Sequence, residues 1–127
     1  MSNKIISCGA LLYAFDVNGR IGVILGKEHK YYFPLKGRQE LNETLCETAI
    51  REVREESCGL VKLEDIDLEC KIMNMNRKQY HIGLANVDIN IVDMFIDRRK
   101  HEVKKEFMEM TELKFFILEK INNILFY

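Results

Sequence analysis

Two spacings of apolar residues alternate along the chain, one typical of strands and one typical of helices. Residues 5–15 and 21–26 are apolar runs separated by an Asn-Gly pair at 18–19, which favours the positive φ angles of a type I′ hairpin turn. An aromatic run at Tyr31–Phe33 follows, and Pro34 ends it. We therefore expect strands in the N-terminal third of the chain.

Pro34 and Gly37 bracket a predicted turn that leads into a polar loop. The period then changes, because residues 44–57 carry one apolar stripe at positions i, i+3, i+4 and i+7. The stripe consists of Cys46, Ala49, Ile50 and Val53. This pattern predicts a helix, and Gly59 stands where such a helix would end.

The second half of the chain shows a weaker pattern. Residues 71–76 and 79–87 are typical of two strands, whereas 89–110 are ambiguous, with a strand over 103–108 favoured. Apolar residues at helical spacing predict a final amphipathic helix over 112–125. The order of strands, helix, strands and helix predicts an α+β fold.

Composition fits one globular unit. The 127 residues suit a single domain over residues 1–127, with 47% hydrophobic and 31% charged side chains. A net charge of −1 argues against a protein whose main task is to grip nucleic acid or an anionic membrane. The charge is nevertheless uneven: residues 1–38 hold six basic and two acidic groups, and residues 39–60 hold two basic and six acidic groups.

The cysteines indicate a reducing compartment, and we expect a cytoplasmic protein. They are widely separated and form no CxxC pair, which argues against a zinc site; they are Cys8, Cys46, Cys58 and Cys70. The apolar segment 5–15 has no small-residue cleavage site and runs straight into the hairpin signal, so we interpret it as a strand and not a signal peptide. No apolar run approaches the length of a membrane span.

Three glutamates share one face of the predicted helix. Glu52, Glu55 and Glu56 fall at i, i+3 and i+4, roughly opposite the apolar stripe. One interpretation is a solvated acidic surface, since like charges at this spacing cost only about 0.2–0.5 kcal/mol per pair. The other is a site for a hard divalent cation, because Mg²⁺ prefers oxygen ligands and is commonly shared with substrate phosphates.

The residues upstream decide in favour of the cation site. From Gly37, five residues lead to Glu43 and seven more lead to Arg51, which directly precedes the acidic cluster. Residues 37–60 resemble the Nudix box: Gly, five residues, Glu, seven residues, then Arg-Glu-aliphatic-any-Glu-Glu-any-Gly-aliphatic. Six specified residue types in register should arise by chance only about once in 10⁶ trial positions.

One departure from the box follows the carboxylates. Ser57 and Cys58 both precede the closing Gly59, where the box has a single residue. An extra residue turns a helix end by about 100°. Because it follows all three carboxylates, we expect it to alter the helix exit and not the metal face.

The resemblance implies roles for the residues that match the box. Glu55 and Glu56 correspond to the main ligands of Mg²⁺ or Mn²⁺, and Glu52 to a further ligand or to the base that activates water. Gly37 corresponds to the glycine whose backbone carbonyl can reach the metal. A site of this kind stabilises charge on a diphosphate and activates water for attack at phosphorus.

The resemblance also implies a structural support for the helix. Arg51 and Glu43 match the pair that performs this role, with the arginine holding Glu43 and Glu52 in place. The chemistry agrees, because a guanidinium can bind carboxylates with a rigid fork and a carboxylate site needs orienting partners.

The segment before the box is similar to the Phe-Pro-Lys-Gly-Lys lead-in of Nudix enzymes that act on mRNA caps and long polyphosphates. In this chain it is Phe33-Pro34-Leu35-Lys36-Gly37-Arg38, with Leu35 inserted. Lys36 and Arg38 are candidate phosphate contacts; the alternative is that they are two solvated cations of a turn.

A further acidic residue beyond the box often serves as general base in this family. The segment 99–105 resembles the Asn-Glu-Ile-basic segment of decapping-type members, which makes Glu102 the first candidate. Glu106 is the second.

The resemblance implies an α/β/α sandwich with a mixed sheet, the box helix and a C-terminal helix. It also implies a pyrophosphohydrolase that uses Mg²⁺ or Mn²⁺ to cleave a diphosphate linkage in a nucleoside diphosphate derivative. A capped or polyphosphate nucleotide is favoured, an RNA cap is a further candidate partner, and no membrane is expected. The alternatives are a nucleotide-sensing or cap-binding module without turnover and a purely structural domain.

Overall fold

The computed structural model describes residues 5–64, 72–75, 78–102, 108 and 110–118. The described residues form the α+β fold that the sequence predicts, although their last element is a strand and not a helix. In chain order they are β1 (Ile5–Phe15), β2 (Ile21–Glu28), β3 (Tyr31–Phe33), β4 (Leu35–Arg38), α1 (Leu45–Glu56), β5 (Ile72–Met75), β6 (Lys78–Asn86), α2 (Ile91–Lys100) and β7 (Met110–Ile117).

β1 is the centre of a mixed sheet. It pairs in parallel with β6 and antiparallel with both β2 and β4, and β2 pairs in turn with β3 and β7. β5 extends the sheet beyond β6. The described chain therefore has the mixed sheet expected, with β4 lying beside the N-terminal half of β1.

The sheet buries one face of β1 against α1. Alternate residues of β1 on that face are fully buried, namely Cys8, Ala10, Leu12 and Ala14. Ala49 and Val53 of α1 belong to the same core cluster, as the predicted apolar stripe requires. The intervening residues of β1 point to the opposite face of the sheet, which we call the outer face.

The hairpin between β1 and β2 forms where predicted but with a different turn. The Gly19 N–H donates to the Asp16 carbonyl at 3.0 Å, and Gly19 alone in this turn has a positive φ, of 79°. The Asp16 carboxylate accepts the N–H groups of Asn18 and Arg20 at 2.9 Å each. The result is a type I turn followed by a left-handed glycine, and the predicted type I′ turn is wrong.

The predicted turn at 34–38 is also wrong, because Leu35–Arg38 forms β4. Gly37 pairs with Cys8 of β1 and does not have a positive φ. The glycine is therefore not needed for a turn.

The helix predicted over 44–57 is confirmed as α1, and its first turn is closed by a capping box. The Thr44 hydroxyl accepts the Glu47 N–H at 3.1 Å, and the Glu47 carboxylate accepts the Thr44 N–H at 2.8 Å. These two bonds satisfy backbone donors that have no partner within the helix.

The extra residue after α1 takes up a left-handed conformation. Cys58 has a φ of 55° and donates its N–H to the Glu55 carbonyl at 3.2 Å, while the Gly59 N–H reaches the Arg54 carbonyl at 2.7 Å. This is a Schellman motif whose left-handed position is filled by cysteine and not by glycine. The extra residue is therefore accommodated in the helix exit, after the last of the three carboxylates.

The second helix is not where the sequence predicts it. Residues 112–117 of the helix predicted over 112–125 belong to β7, an antiparallel partner of β2, so the prediction is wrong there, and residues 119–125 of it lie outside the described residues. The second helix of the described chain is α2, within the stretch that the sequence leaves ambiguous. Of the strand favoured over 103–108, only residue 108 is described, and it lies outside any strand.

The strands predicted over 71–76 and 79–87 correspond to β5 and β6. Within the described ranges, no helix has both the length and the apolar character needed to cross a membrane.

Candidate functional site

Arg51 of α1 is the centre of a polar network between the helix and β4. Its Nε and Nη2 atoms donate to the two carboxylate oxygens of Glu43 at 2.6 and 3.0 Å. Its Nη1 atom donates to Glu52 at 2.7 Å and to Glu55 at 3.2 Å. Nη2 also reaches the Arg38 carbonyl at 3.0 Å. The arginine therefore ties the loop before the helix, the acidic face and β4 to one another.

Glu43 is held as an anion by this network. The hydrogen bond from Arg51, followed by the Glu40 N–H and the Thr48 hydroxyl, lowers the pKa of Glu43 to about 2. The bond to Glu43 also raises the pKa of the Arg51 guanidinium. The charges of this pair are thus fixed across the ordinary pH range.

Gly37 makes room for the carboxylate of Glu52. A Cβ atom at position 37 would overlap the Glu52 carboxyl group. Burial raises the pKa of Glu52, whereas its hydrogen bond and ion pair with Arg51 act in the opposite direction. The carboxylate is therefore positioned between the bare backbone of β4 on one side and a guanidinium on the other.

Glu56 lies against β4 and accepts a backbone hydrogen bond. The Lys36 N–H donates to its Oε1 atom at 2.7 Å. The pKa of Glu56 is raised to about 8, chiefly because the carboxyl is buried; the charges of Glu28 and Glu52 act in the same direction, and the Lys36 N–H bond opposes the shift. A desolvated carboxyl surrounded by other carboxylates favours a cation at this position.

Glu55 is the exposed member of the acidic face, with 56% of its side chain accessible. Arg51 draws Glu55 and Glu52 to one side, while Glu56 turns to the Lys36 N–H. As a result, no three His, Cys, Asp or Glu side chains of the described residues are gathered around a common point. The three glutamates still leave one helix on the same side and supply the hard oxygen donors that Mg²⁺ and Mn²⁺ prefer.

The two predicted phosphate contacts project from the other side of β4. Lys36 pairs with Gly9 and Arg38 with Ser7, so both side chains belong to the outer face. The Lys36 Nζ atom lies 5.0 Å from the centre of the Phe33 ring and 5.5 Å from that of Tyr80. Lys36 thus contacts Glu56 through its backbone and two aromatic rings through its ammonium.

Glu102 follows α2 and lies near Cys58, at the C-terminal end of α1. Its N–H donates to the Arg99 carbonyl at 3.1 Å, and its charge helps to raise the pKa of Cys58, after burial. This is the end of α1 that follows the three carboxylates. Glu106 lies outside the described residues.

Three residues near the site are not indicated by the sequence, namely Glu28, Thr48 and Tyr80. Glu28 and Tyr80 approach through strand pairing, and no spacing in the sequence signals that pairing. Thr48 lies four residues after the helix cap, is fully buried and donates its hydroxyl to Glu43. Its position beside the apolar stripe of the helix is the one feature of the sequence that points to it.

Comparison with known proteins identifies the fold. No protein-family model matches the sequence, and no curated protein is similar to it in sequence. The structure is similar to the C. elegans Ap4A hydrolase, with a TM-score of 0.66 and 19% identity over 98% of this chain and 88% of that one.

Two further solved structures share the architecture. A NUDIX-family hydrolase from Clostridium perfringens has a TM-score of 0.60 and 22% identity, covering 95% of this chain and 86% of that one. The NUDIX domain of Shewanella oneidensis NrtR, solved with ADP ribose, has a TM-score of 0.68 and 12% identity, covering 98% and 79%. The chain thus has the α+β fold of the Nudix hydrolases.

Proposed function

We propose that this protein is a divalent-metal-dependent pyrophosphohydrolase that cleaves a diphosphate linkage in a nucleoside diphosphate derivative. One observation carries the proposal: the Glu52 carboxylate rests on the bare backbone of Gly37 and is fixed there by Arg51. Glutamates that are merely solvated would not require a glycine packed against one carboxylate, nor an arginine hydrogen-bonded to two of them. The shared fold of known Nudix hydrolases supports the same conclusion.

The donor set suits Mg²⁺ or Mn²⁺. Glu52, Glu55 and Glu56 would hold the cation, and the Gly37 carbonyl would be a further oxygen ligand. Glu56 fits this role because its carboxyl is desolvated and lies near other acidic groups, so a bound cation would offset the cost of its charge. When bound, the metal supplies positive charge against the diphosphate and polarises the attacking water.

The remaining chemistry falls to the side chains. In the proposed reaction a water oxygen attacks phosphorus, the phosphoanhydride P–O bond breaks, and two phosphate-bearing products leave. Glu52 or Glu102 accepts the proton of the water. Arg51 keeps the Glu52 carboxylate in place, with its own charge secured by Glu43.

The route of the substrate follows from the two sides of β4. The carboxylates approach from the side of α1, whereas Lys36 and Arg38 project from the outer face. Within the described residues β4 pairs only with β1, so its other edge is open where the Lys36 N–H meets Glu56. We propose that the diphosphate crosses this edge and that Lys36 and Arg38 neutralise its charge.

A capped or polyphosphate nucleotide is the favoured substrate, and the lead-in 33–38 supports this choice. The resemblance of the fold to a hydrolase named for Ap4A is consistent with it. The proposed compartment is a reducing cytoplasm, in which Cys8, Cys46 and Cys58 remain free thiols.

The test is release of monophosphate products with Mg²⁺ or Mn²⁺ from dinucleoside polyphosphates, capped RNA, nucleotide sugars and nucleoside triphosphates. We expect Glu55→Gln and Glu56→Gln each to lower turnover by more than about 100-fold. This exceeds the usual 10- to 100-fold cost of losing a residue that only orients a metal ligand. Asp97→Asn, on the exposed side of α2, is the matched control and should keep turnover within about twofold.

Unchanged turnover in both glutamine variants would overturn the proposal. Nucleotide binding without product under either metal would instead indicate a binding module. Comparison of Glu52→Gln with Glu102→Gln assigns the base, because the residue that takes the proton governs the acidic limb of the pH profile.

A further inference from the structure

The outer face of the sheet carries a lysine that is held by two aromatic rings. The Lys36 Nζ atom lies 5.0 Å from the Phe33 ring centre and 5.5 Å from the Tyr80 ring centre. Both distances are within the range of a cation–π contact. Both rings therefore border the space that the ammonium takes up.

Strand pairing explains why the three residues meet. Tyr80 of β6 and Arg38 of β4 both pair with Ser7 of β1, and Lys36 pairs with Gly9, the next residue of β1 on the same face. A Cβ atom at position 9 would overlap β4 at the Leu35 carbonyl and at the Cα and Cβ atoms of Lys36. The glycine therefore leaves the lysine room beside the tyrosine.

The same lysine is a predicted phosphate contact, and the two roles compete. An ammonium that binds a phosphate oxygen across the edge of β4 has to leave the two rings. The rings are then uncovered, and aromatic faces of this kind stack well on nucleobases.

We propose that Phe33 and Tyr80 form a nucleobase slot that Lys36 occupies in the free protein and vacates when it binds the phosphate of the same ligand. The inference rests on the proposed function, since it names how that site selects its substrate. The slot favours ligands that carry a planar base and an anionic phosphate together, and it disfavours a nucleoside alone.

Adenosine binding tests the slot without hydrolysis, because adenosine has no diphosphate and needs no metal. Lys36→Ala should bind adenosine about fivefold or more tightly than the parent protein, since the loss of two cation–π contacts frees the rings. The same variant should bind ADP more weakly, because a phosphate contact is lost. Isothermal titration in EDTA measures both affinities, and the opposite signs are the signature of the exchange.

Matched variants separate the proposed exchange at Lys36 from a general change in ligand binding. Lys36→Arg keeps the charge and the ring contacts, so adenosine binding should stay weak. Lys114→Ala removes the ammonium that lies 5.5 Å from the Phe116 ring on β7 and should change neither affinity. Tyr80→Leu in the Lys36→Ala background should abolish the gain in adenosine affinity, whereas Tyr31→Leu, at an exposed site on β3, should preserve it.

An adenosine affinity that is unchanged or lower in Lys36→Ala would overturn the inference, as would a gain that survives Tyr80→Leu. Either result leaves metal-dependent hydrolysis as a separate question. Conversely, the predicted adenosine behaviour together with no hydrolysis of any diphosphate would support the slot and reject only the pyrophosphohydrolase.

Discussion

At the scale of single residues, Gly37 shows how a position can be chosen for what it lacks. The sequence pattern predicts a turn at this glycine, yet its conformation is ordinary strand, and the lack of a side chain there lets the Glu52 carboxyl group approach the backbone. The spacing along the helix predicts that the three carboxylates share one face, and the resemblance to the box predicts that Arg51 holds Glu43 and Glu52. Neither could predict the contact of Glu56 with the Lys36 N–H, because that contact depends on how α1 docks on β4.

Gly37→Ala should displace Glu52, because the added methyl group would overlap its carboxyl group. We expect turnover to fall by about 10- to 100-fold, the usual cost of misplacing a group that orients a metal site. Urea unfolding measures how far the same clash lowers the free energy of unfolding.

The control is a double-mutant cycle with Glu52→Ala, which removes the group that the methyl would strike. The cost of Gly37→Ala should then shrink, with a coupling of about 1 kcal/mol. Equal costs in both backgrounds would show that the glycine acts through something other than Glu52.

Glu56 should make the metal-free protein less stable as the pH rises. Its pKa is raised from 4.5 to about 8 in the fold, so between these values the native state binds more protons than the unfolded state. Stability relative to Glu56→Gln should therefore fall from about pH 5 to pH 8, by no more than about 1.4 kcal/mol per pH unit.

The measurement is urea unfolding of both proteins in EDTA across this range. A difference between the two proteins that stays flat or grows with pH would contradict the shift. Added Mg²⁺ should stabilise the parent protein at pH 8 more than the variant, since a cation restores the charged form.

At the scale of elements, α1 was predictable because its signals are local, whereas β7 was not. A bulge opposite Lys27 and Glu28 places Met110 and Leu113, three residues apart, both in the core. Phe116 then contacts Tyr32 at a ring distance of 5.0 Å. The apolar residues Leu113, Phe116 and Ile117 stand at i, i+3 and i+4, as in a helix, and only the register with β2 identifies the strand.

The end of α1 offers a test of the left-handed cysteine. Cys58→Ala and Cys58→Gly both remove the thiol, but only glycine adopts a φ near 55° without steric cost. We expect the glycine variant to be more stable than the alanine variant by about 1 kcal/mol in urea unfolding. Equal stability, or a more stable alanine variant, would show that the Schellman geometry is not maintained there.

At the scale of the whole molecule, the net charge of −1 conceals two neighbouring segments of opposite charge. A basic N-terminal segment contributes Lys36 and Arg38 on the outer face, and the acidic segment that follows contributes the carboxylates of α1. The fold brings the two segments to opposite sides of β4. This arrangement suits a ligand that carries a compact anionic group.

Salt dependence distinguishes these two kinds of ligand. If Lys36 and Arg38 make the phosphate contacts, a plot of log affinity against log salt should have a slope no steeper than about −2. Capped RNA and a cap dinucleotide should give similar slopes when binding is titrated from low to high KCl. A slope for capped RNA several times steeper would show that the RNA body is also bound.

The bond between Glu56 and the Lys36 N–H affects which inactive variant is suitable for such work. That N–H lies on the open edge of β4, where a larger sheet would add another strand. The carboxylate thus also shields a strand edge, and alanine at position 56 would leave a peptide group free to pair with another chain. Glutamine keeps an oxygen that can accept the same N–H, so it removes the acid and preserves the protection against self-association.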